Sequence, residues 1–202
     1  MHQKLLPKIL YLGTPVVLIS TLNEDGSPNL APISSAWWLG HACMFGMGTR
    51  SKTVENLKRE GQCVLNIPSA DMVAAVDRLA LTTGKNPLPD YKIKMGFEHV
   101  PDKFSRAGLT PLASETVRPP RVLECPIQLE ANVRHIHYLG EEGHGAAAVE
   151  ATVVAGYFEE NILNPERRHH VDPERWRPLI MSFCEFYDLG QKAHHSRLAE
   201  VF

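Results

Sequence analysis

Apolar positions along this chain recur mostly at the spacing of strands. Residues 15–22 form a β-branched apolar run. Asn23, Glu24, Asp25 and Gly26 then supply turn chemistry, with Gly26 free to take a positive φ. Extended chain resumes over 27–39, where Pro28 and Pro32 suit an edge or a bulge. The two runs predict a hairpin. Residues 42–48 predict a third strand, and 63–67, stopped by Pro68, another. Between them 54–60 reads as a short helix; Ser51 and Thr53 hold hydroxyls able to cap it, and Gly61 ends it. Over 70–83 the period changes, because Met72, Val73, Val76, Leu79 and Ala80 follow helical spacing.

Further along, 84–91 contains Pro87 and Pro89 and predicts an irregular loop. A small element follows around Asp102, Lys103 and Phe104. Residues 122–139 and 146–158 are long extended segments, joined by a loop of hairpin length at 140–145. Helical turns are expected at 164–168 and 173–176, and a last strand at 182–189. No repeat, low-complexity tract or linker interrupts the chain, so residues 1–202 are expected to form a single domain. Most links between strands are too short for a parallel crossover. The sheet is therefore expected to be antiparallel, and a closed or nearly closed barrel hides its edges best.

Composition narrows the function. Of 202 residues 44% are hydrophobic and 22% charged, with a net charge of −2. That excludes disorder as a class and leaves no basic excess for a nucleic-acid backbone, so no nucleic-acid partner is expected. No apolar stretch approaches the ~18 residues of a membrane span. Near the N-terminus Gly13, Thr14 and Pro15 interrupt the apolar run, which argues against a signal peptide. The four cysteines, Cys43, Cys63, Cys125 and Cys184, form no paired motif and read as buried thiols of a reduced, cytoplasmic protein.

Candidate chemistry concentrates in two places. Thr49, Arg50, Ser51, Lys52 and Thr53 set two cations among three hydroxyls, after Gly46 and Gly48 and before a helix. A helix N-terminus presents unpaired N–H groups and about half a positive charge, so this loop suits a phosphate. A capped surface helix with solvated charges is the bland alternative. The P-loop pattern is met at Gly46, Lys52 and Thr53, but Ser51 replaces its second glycine, and the dinucleotide pattern fails at the same residue. The other cluster runs Asn29, Leu30, Ala31, Pro32, Ile33, Ser34, Ser35, Ala36, Trp37, Trp38. Small hydroxyl residues beside indoles suit a flat heteroaromatic ligand; the alternative is a strand edge with core tryptophans.

Ten histidines invite a metal reading. His135 and His137 would share a strand face, but the adjacent pairs His169–His170 and His194–His195 would point to opposite faces, and no third ligand is spaced to help. No metal is expected. His144, in a loop, could approach a ligand, and Glu141–Glu142 and Glu159–Glu160 read as solvated turn ends. No nucleophile elbow exists.

Taken in order, residues 15–26 (PVVLISTLNEDG), 31–36 (APISSA), 49–53 (TRSKT) and Asn56–Leu57 resemble the flavin reductase-like family of FMN-binding split barrels. Lys103–Phe104, Gly108–Leu109, the PRVLECPIQL segment at 120–129, Arg177, Pro178 and Leu179, and the run Tyr187, Asp188, Leu189, Gly190 continue the likeness. The resemblance implies a mainly β (α+β) fold: a six-stranded antiparallel split β-barrel with a few short flanking helices, homodimeric, with FMN near the subunit interface. It implies that Ser51, Lys52 and Thr53 hold the phosphate with help from Thr49 and Arg50. Ser34, Ser35, Ala36 and Trp37, with Asn29 in the same cluster, would line the ribityl chain and ring. The loop at 140–145 and the added length over 79–100 look more like the flavoredoxin-type branch. Two functions stay open: a flavin reductase using NADH or NADPH, and an FMN electron carrier reduced by a redox partner protein. A phosphate-ligand protein without flavin is the third. No residue is assigned a catalytic role.

Overall fold

The run VLISTL lacks a strict alternation of apolar and polar residues because both of its faces are buried. In the computed structural model, which describes residues 1–140 and 145–201, it forms β2 (Val17–Leu22) after a short β1 (Leu12–Pro15). Val17 and Ile19 enter one apolar cluster, and Val16 and Leu18 enter another. A strand covered on both sides reads as continuous apolar sequence. The turn at Gly26 (φ 82°) then leads into β3 (Pro28–Ile33), with Leu22 opposite Pro28.

Next come β4 (Ala36–Leu39), β5 (Ala42–Gly48), helix α1 (Lys52–Glu60) and β6 (Gln62–Ile67). Helices α2 (Val73–Asp77), α3 (Asp90–Lys94) and α4 (Lys103–Ala107) lie in the middle third. Two small pairs accompany them: β7 (Thr82–Thr83) with β8 (Glu98–His99), and β9 (Pro111–Leu112) with β10 (Arg121–Val122). The long hairpin β11 (Ile127–Leu139) and β12 (Ala146–Phe158) follows, then β13 (Ile180–Ser182) and β14 (Glu185–Tyr187).

Seven strands form one antiparallel sheet in the order β3-β2-β6-β11-β12-β5-β4. Its two edge strands are consecutive in the chain, with only Ser34 and Ser35 between them. Ile33 and Ala36 are then at most about 11 Å apart, so the sheet must curl until its edges approach. One cluster gathers Val17, Phe45, Leu65, Ala131 and Val149 from five of the strands, together with Leu57 of α1. The other packs Leu18 and Leu30 against Val76, Leu79, Phe104 and Leu179, on the sheet face that α2 and α4 cover.

The expected six strands become seven. The run 27–39 divides at Ser34–Ser35, where the chain leaves β2 and joins β5; the Ser35 carbonyl accepts the Gly46 N–H at 2.7 Å. The run 15–22 also divides, with β1 pairing β13 in a separate sheet. The long helix expected over 70–83 shrinks to a turn at Ala70–Met72 and α2. Leu81 takes a positive φ (52°), and Thr82–Thr83 run parallel to Glu98–His99. Burial of Val76 and Leu79, with Met72 and Val73 packed beside them, produced the helical spacing. The segment 122–139 breaks between β10 and β11, and the turn expected at 164–168 lies earlier, at Glu160–Ile162. Residues 182–189 fold as a hairpin through Phe183 and Cys184, both at positive φ. Cys43, Cys63 and Cys125 are buried, whereas Cys184 is exposed. Glu141, Glu142 and His144 lie outside the described residues. Among the described residues no helix is long and apolar enough to cross a membrane.

Candidate functional site

The break at Ser34–Ser35 opens a cleft of about 290 Å³, lined by Tyr11, Pro32, Ser34, Ser35, Gly46 and Met47 among others. Gly46 brings the backbone close there: a Cβ on it would stand 3.3 Å from the Ser35 Cβ, a tight contact. The two clusters picked out in the sequence touch where Asn29 donates to the Thr53 hydroxyl, and the cleft itself holds Ser34 and Ser35 of one and the glycine that leads to the other. From Gly46 the chain runs through Gly48 into α1. Thr49 donates from its N–H and from its hydroxyl to the Gly145 carbonyl, each at 3.1 Å, which ties the loop to the start of β12.

Ser51 caps α1, its Oγ accepting the Val54 N–H at 3.2 Å. The first-turn N–H groups of the helix have no partner within the helix itself. Thr53 is buried and accepts from Asn29 Nδ2 at 3.2 Å; the same amide also donates to Thr21 at 3.2 Å. Asn29 Oδ1 is buried without a partner. It lies against Gly84, where a Cβ would come within 2.9 Å of it and 3.2 Å of the Lys52 Cγ. Lys52 ion-pairs with Glu24 at 2.6 Å and lies 3.9 Å from Glu55. That bond, with smaller contributions from the Lys52 and Arg59 charges, holds the Glu24 carboxyl below its usual range. Arg50 stacks its guanidinium 4.1 Å over the Tyr91 ring.

Of the expected site residues Ser34 and Ser35 line the cleft; Asn29, Thr49, Arg50, Ser51 and Thr53 do not, and Lys52 lines a separate cavity instead. Ala36 is in the apolar cluster enclosed by the sheet, and Trp37 points outward, 56% exposed. Trp38 packs beside that cluster with its Nε1 buried and unpartnered.

The structure adds cations that the sequence reading passed over. Lys85 pairs with Glu55 of α1, and Lys92 donates to the Thr83 hydroxyl at 2.7 Å. Lys103 is 4% exposed, and among the described residues nothing accepts a hydrogen bond from its ammonium. Burial, with the nearby Lys92 charge, pulls its pKa down to about 8. Burial first, then Lys85, likewise lowers Lys92, opposed by Glu55. Lys52, Lys85, Lys92 and Lys103 thus form a linked group, with Glu24, Glu55 and the weaker charge of Asp25 as counter-charges. A signal for Lys103 existed: it shares the buried side of α4 with Phe104 and Ala107, an unusual place for a cation.

His135 and His137 do share a face, ring centroids 5.9 Å apart, and His137 reaches Glu150 at 3.3 Å. Among the described residues no group of three His, Cys, Asp or Glu side chains is arranged for a metal ion.

A family model described as "Flavin reductase like domain" matches residues 10–188. The chain belongs to the flavin reductase-like family. It is 43% identical over 186 residues to the uncharacterized protein YdfE of Bacillus subtilis (strain 168), covering 92% of this chain and 88% of that one. In fold it is similar to the flavoredoxin of Desulfovibrio vulgaris (Miyazaki F), with a TM-score of 0.78 and 22% identity over 99% of this chain and 100% of that one. It also matches a split barrel domain protein of Shewanella frigidimarina NCIMB 400, TM-score 0.70 and 18% identity, covering 91% and 86%.

Family membership implies a flavin, and the residues present fit one. The cleft at Ser34–Ser35 has a backbone that approaches closely at Gly46. Along the chain from Gly48 comes a helix N-terminus, and Lys103 adds an ammonium without a counter-ion among the described residues, groups whose charge a flavin nucleotide's phosphate would satisfy.

Proposed function

We propose that the protein is an FMN-binding oxidoreductase, a flavin reductase that draws on NADH or NADPH. The observation that most supports this reading is the uncompensated Lys103 ammonium, linked through Lys92, Lys85 and Glu55 to the first turn of α1. An unpaired buried cation is costly, and a dianionic phosphate removes that cost. When bound, FMN supplies the redox chemistry, accepting a hydride at N5.

The chain's own residues bind and orient. The N–H groups at the start of α1, with Arg50, Ser51, Lys52, Thr53 and Lys103, hold the phosphate. Thr49 fixes the loop against β12. Ser34 and Ser35 offer donors along the cleft, and Asn29 Oδ1 offers a buried acceptor to a hydroxyl or N–H of the ligand. The apolar wall of Pro32, Met47, Val76 and Met181 excludes water from one side of the ring. Exposed Trp37 and Leu39 on β4, with Val154 and Phe158 on β12, are an apolar surface suited to a second copy. We propose a homodimer on that basis, and a cytoplasmic, single-domain protein on the composition and cysteine pattern of the sequence.

The purified protein is expected to be yellow, or to become so with added FMN. Anaerobic NADH or NADPH should bleach the flavin band near ~450 nm within the mixing time. The likeness to flavoredoxin favours a second reading, an electron carrier with no nicotinamide site. Bleaching only by a reduced protein donor would select it. A double variant Ser51→Ala, Lys52→Ala should weaken FMN by about 2 kcal/mol, read by fluorescence titration. It loses charge-assisted contacts, although Lys52 must first release Glu24.

A further inference from the structure

Lys52, proposed above to hold the phosphate, already has a partner. Lys52 Nζ lies 2.6 Å from Glu24 Oε2. Glu24 is presented by the turn between β2 and β3, which is held independently: the Asn23 N–H donates to the Ser27 carbonyl at 2.9 Å, and Asp25 accepts from Ser27 N and Oγ. The Lys52 stem is confined where it passes Gly84, and its amine opens on a cavity of about 300 Å³ lined by Glu24, Asp25, Gly84 and His99 among others. Arg59 also reaches Glu24, at 3.2 Å, but keeps Glu60 and Asn56 as further partners. Lys52 has Glu55 at 3.9 Å and the through-space charge of Asp25 besides.

We propose that Glu24 is a resident competitor for the flavin phosphate and sets how strongly the site prefers FMN to unphosphorylated riboflavin. This rests on the reading above that Lys52 contacts the phosphate. A dianion must take Lys52 away from a carboxylate already bonded to it. Riboflavin has no phosphate and leaves the pair intact. The preference for FMN is therefore held below what the cation set alone would give, and the nucleotide stays exchangeable.

The test is fluorescence titration of the full chain with FMN and with riboflavin. Glu24→Gln keeps the side-chain shape and removes the charge. It should tighten FMN about three- to fivefold, the scale of an exposed ion pair, and leave riboflavin unchanged. Asp25→Asn removes a charge that acts on Lys52 only through space, while its amide oxygen can still accept from Ser27, and should change FMN affinity by less than about 1.5-fold. FMN binding that is no tighter in Glu24→Gln, or riboflavin tightening in parallel, overturns the proposal. An equal gain in Asp25→Asn also overturns it, because general charge would then explain the effect. Lys52→Met separates the two levels. If it leaves FMN affinity unchanged, the phosphate assignment itself fails; if it weakens FMN while Glu24→Gln changes nothing, only the competitor role fails.

Discussion

Lys103→Met is expected to make the ligand-free protein more stable and its complex with FMN weaker. The two effects have one cause. Lys103 is 4% exposed, has no counter-ion among the described residues, and carries a pKa lowered from 10.5 to about 8 by burial and Lys92. A shift of that size corresponds to about 3 kcal/mol of disfavoured charge in the folded state. Methionine fills similar space without the charge, so unfolding free energy should rise by about 2–3 kcal/mol at neutral pH. Because the folded pKa lies below the unfolded one, the penalty is whole below about pH 8. It fades as pH rises toward 10.5, and the stability gap between wild type and variant should close over that window. FMN affinity moves the other way. The variant loses a buried charge-assisted bond, a cost of about 2–3 kcal/mol. The wild-type dissociation constant should also climb above pH 8 as the ammonium empties. Denaturant titration with and without FMN, at pH 7 and at higher pH, checks both. A variant that is less stable and binds FMN as before would show that Lys103 is a packing residue.

Replacing Glu130 with alanine is expected to give the largest loss of stability. Glu130 lies on β11, fully buried. Its carboxylate accepts from Glu115 N at 2.9 Å, Thr116 N at 2.6 Å and the Thr116 hydroxyl, and stands 3.6 Å from the Arg121 Nε. Arg121 in turn stacks 3.8 Å over Tyr157 and donates to the Ala113 carbonyl. One side chain thus anchors the loop between β9 and β10. Removing it strands a buried guanidinium and two N–H donors, a cost of about 3–5 kcal/mol. Glu130→Gln should lose nearly as much, since its NH₂ would face donors or Arg121. Burial alone would raise the Glu130 pKa, but the bonds from Thr116 and Glu115 and the Arg121 charge bring it below 4.5. A lowered carboxyl stabilises above its unfolded pKa, and that contribution is lost as pH falls through the folded value. Chemical denaturation of both variants, with the midpoint followed down the acid limb, measures the loss. A midpoint shift worth less than about 1 kcal/mol would show that the loop is held elsewhere.

Legibility differed from one element to the next for physical reasons. The hairpin at Gly26 and helix α1 with its Ser51 and Gly61 caps were readable, because turn and cap geometry depend on a few adjacent residues. The Ser34–Ser35 break was not, because it reflects which strand the chain must pair with next, and the partners come from β2 and β5. The hairpin at Phe183–Cys184 escaped for another reason: both residues take positive φ without the Asn or Gly that normally marks such a turn. In the site, the residues 49–53 were visible as a cluster, and so was their suitability for phosphate. Trp37 looked like a ring-facing indole by proximity in sequence, yet strand alternation turns it outward.

Local order in the chain was enough to settle that this is a mostly antiparallel β protein with a hydroxyl- and cation-rich turn leading into its first helix, because those signals act over a handful of residues. Which cations are spoken for came from packing alone. Glu24 meets Lys52, Glu55 meets Lys85, and α4 buries Lys103 beside Lys92 without a counter-ion. Electrostatic partnership is a matter of distance through space, and here it joins residues about 30 to 40 positions apart, beyond the reach of any local pattern.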